Sequence, residues 1–312
     1  MVHGSLTYGE HMDPAWDSRD LRVASDSSRT ARYRLLQSWY RQTVLGVEAG
    51  ATGQAGSERL VGSRLRREDV AERRDLNFLD PKIAGYAQRR AVEVQREGGT
   101  LEPVRLFRNM LSSMPLCFNV FGMIRETPDA QLEFVQQLFD PSAVGIEMIE
   151  CEWTPVAGLG DRTAFDAAIV TRHVDGSTHL IGIETKYTDS FSPTEYESAE
   201  YVRVHQASGW FRDGTAGDLS GRATNQMWRD CLLAAAAELA GEYTTAAVVV
   251  LALEDDPGAG AAIAGVDAAL SDPRRCQAVP LQRIVEAGKQ ITPLVAWASE
   301  FERRCIDLTP IT

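Results

Sequence analysis

The chain has 312 residues, 44% of them hydrophobic and 24% charged, with 25 Gly and 13 Pro. That composition excludes a disordered, fibrous or collagen-like chain, and no apolar run approaches the roughly 20 residues that a bilayer-spanning helix needs. The formal net charge of −12 argues against a uniformly basic nucleic-acid binder, yet screening over about 8 Å at physiological salt lets a local basic patch act by itself.

Residues 1–28 mix Gly, Ser, Asp and His without periodicity and read as a flexible tail. They lack the basic and apolar blocks of a secretion signal, so the expected compartment is the cytoplasm. From Thr30 onward Tyr33, Leu35, Leu36, Trp39, Tyr40 and Val44 recur at helical spacing. A Gly/Ala-rich loop is expected over 46–56, and helices over 64–74 and 82–97, the latter closed by Gly98-Gly99. Residues 29–110 thus read as a helical, Arg-rich N-terminal region. Between Arg59 and Arg108 eleven Arg and one Lys stand against eight acids, so this stretch carries +4 and the remainder −16. Arg64, Arg66 and Arg67 are its candidates for docking a phosphate backbone, the plain alternative being a solvated helical surface. Only Lys82, Lys186 and Lys289 are lysines among 32 basic residues, which makes each of them worth attention.

Beyond residue 100 the pattern changes, and residues 111–312 read as one core with C-terminal helices. Helices are expected over 101–108, 116–125 and 130–139, the last closed by Pro141. Strand-like runs follow at 145–153, 163–173 and 178–187. Val174-Asp175-Gly176-Ser177 separates the last two, a strong hairpin signal. A polar segment over 188–221 leads to an Ala/Leu-rich helix over 225–240, a buried strand over 245–253, and helix over 281–304 broken near Pro293. The order helix, three strands, helix, strand gives a mixed α/β sheet flanked by helices. The five cysteines form no CxxC pair, so they are expected to be reduced and buried, with no zinc knuckle.

The chemistry concentrates between Asp161 and Asp189. Alternation puts Asp166, Ala168 and Val170 on one face of the first hairpin strand and Phe165, Ala167 and Ile169 on the other. In the partner strand Glu184 and Lys186 share a face, with Thr185 pointing away. Two carboxylates from neighbouring strands beside an ammonium suit a hard cation such as Mg²⁺, with Mn²⁺ able to substitute: Asp166, Glu184 and the Thr185 carbonyl are the candidate ligands. Lys186 would stand beside a metal-bound water as a point charge. The rival is an ordinary salt bridge at a strand end.

Asp166 in one strand with Glu184-Thr185-Lys186 in the next resembles the PD-(D/E)xK nuclease superfamily. The words LSSMPLCFNVFG (111–122), TAFDAAI (163–169), IGIETKYTD (181–189) and NQMWR (225–229) are similar to a bacterial restriction-endonuclease-like family within it. The resemblance spans about residues 100–255. It departs from the pattern in lacking a Pro before Asp166 and in carrying Met114 after Ser112-Ser113, whose role stays open. It implies a restriction-endonuclease-like fold and a Mg²⁺-dependent nuclease acting on nucleic acid, DNA above RNA, in bacterial defence or restriction. It also implies that the helix after the ExK strand faces the site, with Arg229 holding a phosphate and Gln226 assisting. A further acid is expected near the site, Glu152 in preference to Glu133, because its strand should neighbour Asp166. The alternative is a catalytically inactive nuclease-fold module that binds nucleic acid or a partner protein. A homodimer or an additional subunit is compatible with the sequence. Gly258-Ala259-Gly260 mimics a dinucleotide fingerprint, but the acids Glu254, Asp255 and Asp256 before it would repel a pyrophosphate.

Overall fold

The computed structural model describes residues 23–53 and 57–312; most of the expected N-terminal tail therefore lies outside the described residues. Helix α1 (Ser28–Trp39) is N-capped by Ser27, whose side chain accepts from the Thr30 N–H, and it runs on into a π turn at Tyr40–Val44. Where the sequence predicts a loop over 46–56 and a helix over 64–74, β1 (Ala49–Thr52) pairs antiparallel with β2 (Arg59–Leu65), residues 54–56 of the expected loop lying outside the described residues, and α2 shrinks to Arg67–Glu72. The physical reason is period two: Val61, Ser63 and Leu65 are buried while Leu60 is exposed, and Gly50 lets the pair close, since a Cβ there would overlap the Leu65 carbonyl. The N-terminal region is thus not wholly helical.

Helix α3 (Pro81–Arg96) starts on the Asp80 cap with Pro81 in its first turn. Then come α4 (Pro103–Arg108), α5 (Ser113–Cys117), a π turn at Phe118–Gly122, α6 (Met123–Arg125) and α7 (Pro128–Leu138). The strands β3 (Gly145–Trp153), β4 (Phe165–Arg172) and β5 (Thr178–Thr185) follow, and Gly176 turns the β4–β5 hairpin with φ +84°. The polar segment after β5 carries two helices with no clear sequence signal, α8 (Ala199–Ala207) and α9 (Ala216–Leu219). Helix α10 (Asn225–Leu239) leads to β6 (Thr245–Ala252). The chain closes with α11 (Pro257–Asp267), a short strand β7 (Cys276–Pro280), α12 (Leu281–Gln290) and α13 (Val295–Cys305).

The main sheet has the order β3-β4-β5-β6-β7, antiparallel through β5 and parallel from β5 to β7. One apolar layer joins α1, α3 to α7, α12 and α13 to the face carrying Ile149, Ala167, Ile181 and Leu251. The other packs α8, α10 and α11 on the face carrying Ala168, Leu180 and Val250. Phe165 departs from strict alternation and joins this second layer. Gly182 opens the slot, because any Cβ there would overlap the Phe165 ring. All five cysteines are free and buried. Among the described residues no helix is long and apolar enough to cross a membrane.

Candidate active site

The strand register assembles the site. Cys151 pairs with Ala167 and Trp153 with Phe165, which leaves Glu152 opposite Asp166; Ala167 pairs with Ile183, which carries Asp166 on to Glu184. Three acids from three strands thus stand in one row. Asp166 Oδ2 accepts from the Thr185 N–H at 2.8 Å, a bond that fixes the carboxyl against the next strand.

Glu184 and Lys186, each 5% exposed, form an ion pair with Nζ 2.7 Å from Oε1. Gln226 on α10 bridges them: its Nε2 donates to Glu184 Oε1 at 2.6 Å, and its Oε1 accepts from Lys186 Nζ at 3.3 Å and from the Ser192 N–H at 2.7 Å. The ammonium also lies 4.6 Å from the Phe191 ring centroid. Burial draws the Lys186 pKa down, but Glu184 and Asp166 outweigh it and hold the group charged. Burial, then Glu184 and Glu152, push the Asp166 carboxyl well above the carboxylate range against the pull of Lys186. Burial likewise raises Glu152 to about 7, with Arg105 opposing and Glu184 adding to the rise.

Glu152 has φ +52°, in the left-handed region, a conformation that costs a non-glycine residue of order 1 kcal/mol or more. Arg90, buried on α3, donates from Nε to the Cys151 carbonyl at 2.8 Å and from Nη2 to the Glu152 carbonyl at 3.0 Å, and so buckles the kink in place. A cleft of about 540 Å³ opens beside it, lined by Arg90, Glu152, Trp153, Asp161 and Arg162 among others. Glu133 sits exposed on α7, accepting from Gln137.

Arg229 is 16% exposed and engaged elsewhere than the ion pair. It donates to the Tyr201 hydroxyl at 3.0 Å and to Thr163 Oγ1 at 2.5 Å, pairs with Asp161 at 3.9 Å, and stacks 4.2 Å from the Tyr196 centroid. Among the basic trio, Arg64 is half-buried on β2, Arg66 pairs with Asp69 at 2.9 Å, and Arg67 is exposed at the start of α2. Arg64 lines a small cleft with Thr188 and Asp189, just past the ExK strand.

Three residues near the site escape sequence reasoning. Asp230, 4% exposed on α10, has its carboxyl pushed well above the carboxylate range by burial and then by Glu184, with Lys186 pulling it down and Asp166 adding to the rise; its one signal is the i, i+4 spacing from Gln226. Arg105 donates to Ser112 Oγ at 2.8 Å and Ser113 Oγ at 3.2 Å and lies 3.7 Å from Asp189. Arg90 gives no sequence signal, because its targets are backbone carbonyls 61 and 62 residues away.

A family model described as the PD-(D/E)XK nuclease superfamily matches residues 24–307, well beyond the span of the motifs. The chain belongs to the PD-(D/E)XK nuclease superfamily. No curated protein and no solved structure matches it significantly. Members of the superfamily generally use divalent metals, and the donor set fits one: Asp166, Glu184 and Glu152 offer only carboxylate oxygens, the ligands a hard cation prefers. Among the described residues no three His, Cys, Asp or Glu side chains already converge as a cage. Glu184 Oε1 is taken by Lys186 and Gln226.

Proposed function

We propose that this nuclease-superfamily protein is a Mg²⁺-dependent endonuclease that hydrolyses phosphodiester bonds of DNA, with Mn²⁺ as a substitute. The observation that supports the reading is the row Glu152–Asp166–Glu184 with Lys186 charged and buried beside it. Asp166 and Glu184 would hold the cation, with Glu152 and the Thr185 carbonyl completing the protein's share. When bound, such a cation supplies Lewis-acid stabilisation of charge on the phosphate oxygens and lowers the pKa of water. Lys186 adds a fixed positive charge next to that position, Asp166 is held by the Thr185 N–H, and Gln226 sets the orientation of the Glu184–Lys186 pair. Arg64, Arg66 and Arg67 dock the nucleic-acid backbone in this reading.

A role in bacterial defence or restriction rests on the similarity of motifs described above, and the cytoplasm is the compartment in this reading. A second reading, a nuclease-fold module that binds without cutting, draws on one observation: Glu184 Oε1 is doubly engaged in the structure. Incubation with plasmid DNA, single-stranded DNA and RNA in Mg²⁺, with and without chelator, separates the two. Chelator-sensitive cutting of DNA supports the enzyme; retained binding with no cutting of any substrate supports the module.

A further inference from the structure

Asp230 is a buried carboxylate to which the proposed function gives no task. It follows Gln226 by one helical turn on α10, so the two side chains share a face, and Gln226 is the residue that touches both Glu184 and Lys186. Asp230 is 4% exposed, and its Oδ2 has no hydrogen-bond partner among the described residues. A buried carboxylate oxygen with nothing to accept is costly, and such an atom in a native fold calls for a donor in some state of the molecule.

Lys186 is the candidate donor, since its ammonium is bonded by Gln226, one turn before Asp230 on the same helix face. Its ammonium is held by Glu184 Oε1 at 2.7 Å and by Gln226 Oε1 at 3.3 Å. A cation that engages the Glu184 carboxylate draws negative charge away from the oxygen the ammonium occupies. Once Glu184 turns to a cation, the ammonium loses its nearest anion while still buried, a loss that would be severe for an uncompensated charge. We propose that Asp230 is a positioning residue that takes over the Lys186 ammonium when Glu184 engages a divalent cation. The lysine then keeps its place in the site, and the cation does not have to compete with an ammonium that has nowhere else to go. This rests on the metal-dependent reading, and its test is built so that the two can fail separately.

The test is a double-mutant cycle read by Mn²⁺ binding alone, without nucleic acid, using the paramagnetic signal of free Mn²⁺ and the full chain. The four proteins are the wild type, Asp230→Asn, Lys186→Met and the double variant, each checked for folding by circular dichroism; Asp230→Ser replaces Asp230→Asn if the latter does not fold. Asp230→Asn is expected to weaken Mn²⁺ binding about tenfold where Lys186 is present, equivalent to about 1.4 kcal/mol, and to change it less than about twofold in the Lys186→Met background. Equal weakening in both backgrounds would overturn the proposal, because it would make Asp230 a ligand or a general source of negative potential. No weakening in either background would overturn it in favour of packing alone. Failure of the wild type to bind Mn²⁺ would instead overturn the metal-dependent reading beneath it.

Discussion

Lys186 Nζ sits 2.7 Å from Glu184 Oε1, two residues away on the same face of the chain, and both side chains are almost wholly removed from solvent. A buried pair of this kind contributes little net stability as a pair but is sensitive to removal of one member, at about 3–5 kcal/mol. It follows that Glu184→Gln is destabilising and weakens divalent-cation binding, since it takes the ion-pair partner at 2.7 Å from a buried ammonium and removes a ligand. Lys186→Met has the opposite effect on the cation: freed of its competitor, Glu184 binds Mn²⁺ more tightly although cleavage is abolished. Calorimetric titration with Mn²⁺ measures both, and weaker binding by Lys186→Met would contradict this account of the pair.

Glu152 makes stability depend on pH. Its folded carboxyl is held neutral up to about 7, chiefly by burial, against an ordinary value of 4.5. Below that lower value both folded and unfolded chains keep the proton and the group contributes nothing. As pH rises through 4.5 toward 7 the unfolded chain releases the proton first, so the folded state loses ground, in all by about 3 kcal/mol. Glu152→Gln should therefore match the wild type in urea melts at about pH 4 and exceed it at about pH 8 in the absence of metal. Equal stability at both pH values would show that Glu152 is not desolvated beside Glu184.

Arg229 behaves in the structure as a brace: it ties α10 to Tyr201 on α8 and to Thr163 at the entry to β4. Removing charge-assisted hydrogen bonds of this sort costs about 1.5–3 kcal/mol each. Arg229→Ala is expected to lower the melting temperature while leaving Mn²⁺ affinity unchanged, and Arg229→Lys to restore only part of the difference, because it lacks the planar fork. A melting temperature equal to that of the wild type would remove the brace from the account.

The basic trio answers to salt. Replacing Arg64, Arg66 and Arg67 together by Gln should weaken binding to all DNA sequences alike and flatten the dependence of affinity on salt, by about 0.9 in slope for each phosphate that is no longer neutralised. Arg66 contributes least in this expectation, because Asp69 already holds its guanidinium. An unaltered slope in a salt titration by fluorescence anisotropy would return the trio to an ordinary solvated surface.

The hairpin that carries Asp166 and Glu184 and leads into Lys186 is legible because its signals are local: alternation in both strands and Asp175-Gly176 between them. Helix α10 and strand β6 are legible from a long Ala/Leu stretch and a continuous apolar run. Strand β7 is not, since Cys276–Pro280 is five residues long and buries Cys276 alone fully. Helix α8 is hidden because only Tyr201, Val204 and His205 of its nine residues are buried. In the site, Asp230 is easily passed over because Gln226 has Arg229 at i+3 as well as the acid at i+4, and the arginine is the more obvious phosphate ligand. The left-handed turn at Glu152 is a tertiary feature: it depends on Arg90 reaching two carbonyls across the fold, and no spacing in the sequence announces that.

The central claim, that Asp166 and Glu184 serve a metal-dependent nuclease, is tested most directly by supercoiled-plasmid cleavage with the wild type, Asp166→Asn and Glu184→Gln, each in Mg²⁺ and in excess chelator. The account predicts nicked and linear DNA only from the wild type in Mg²⁺, with both variants at least about a hundredfold slower, the order expected for removal of an electrostatic group that acts in the transition state. Cleavage that persists in chelator, or wild-type rates from either variant, would contradict it.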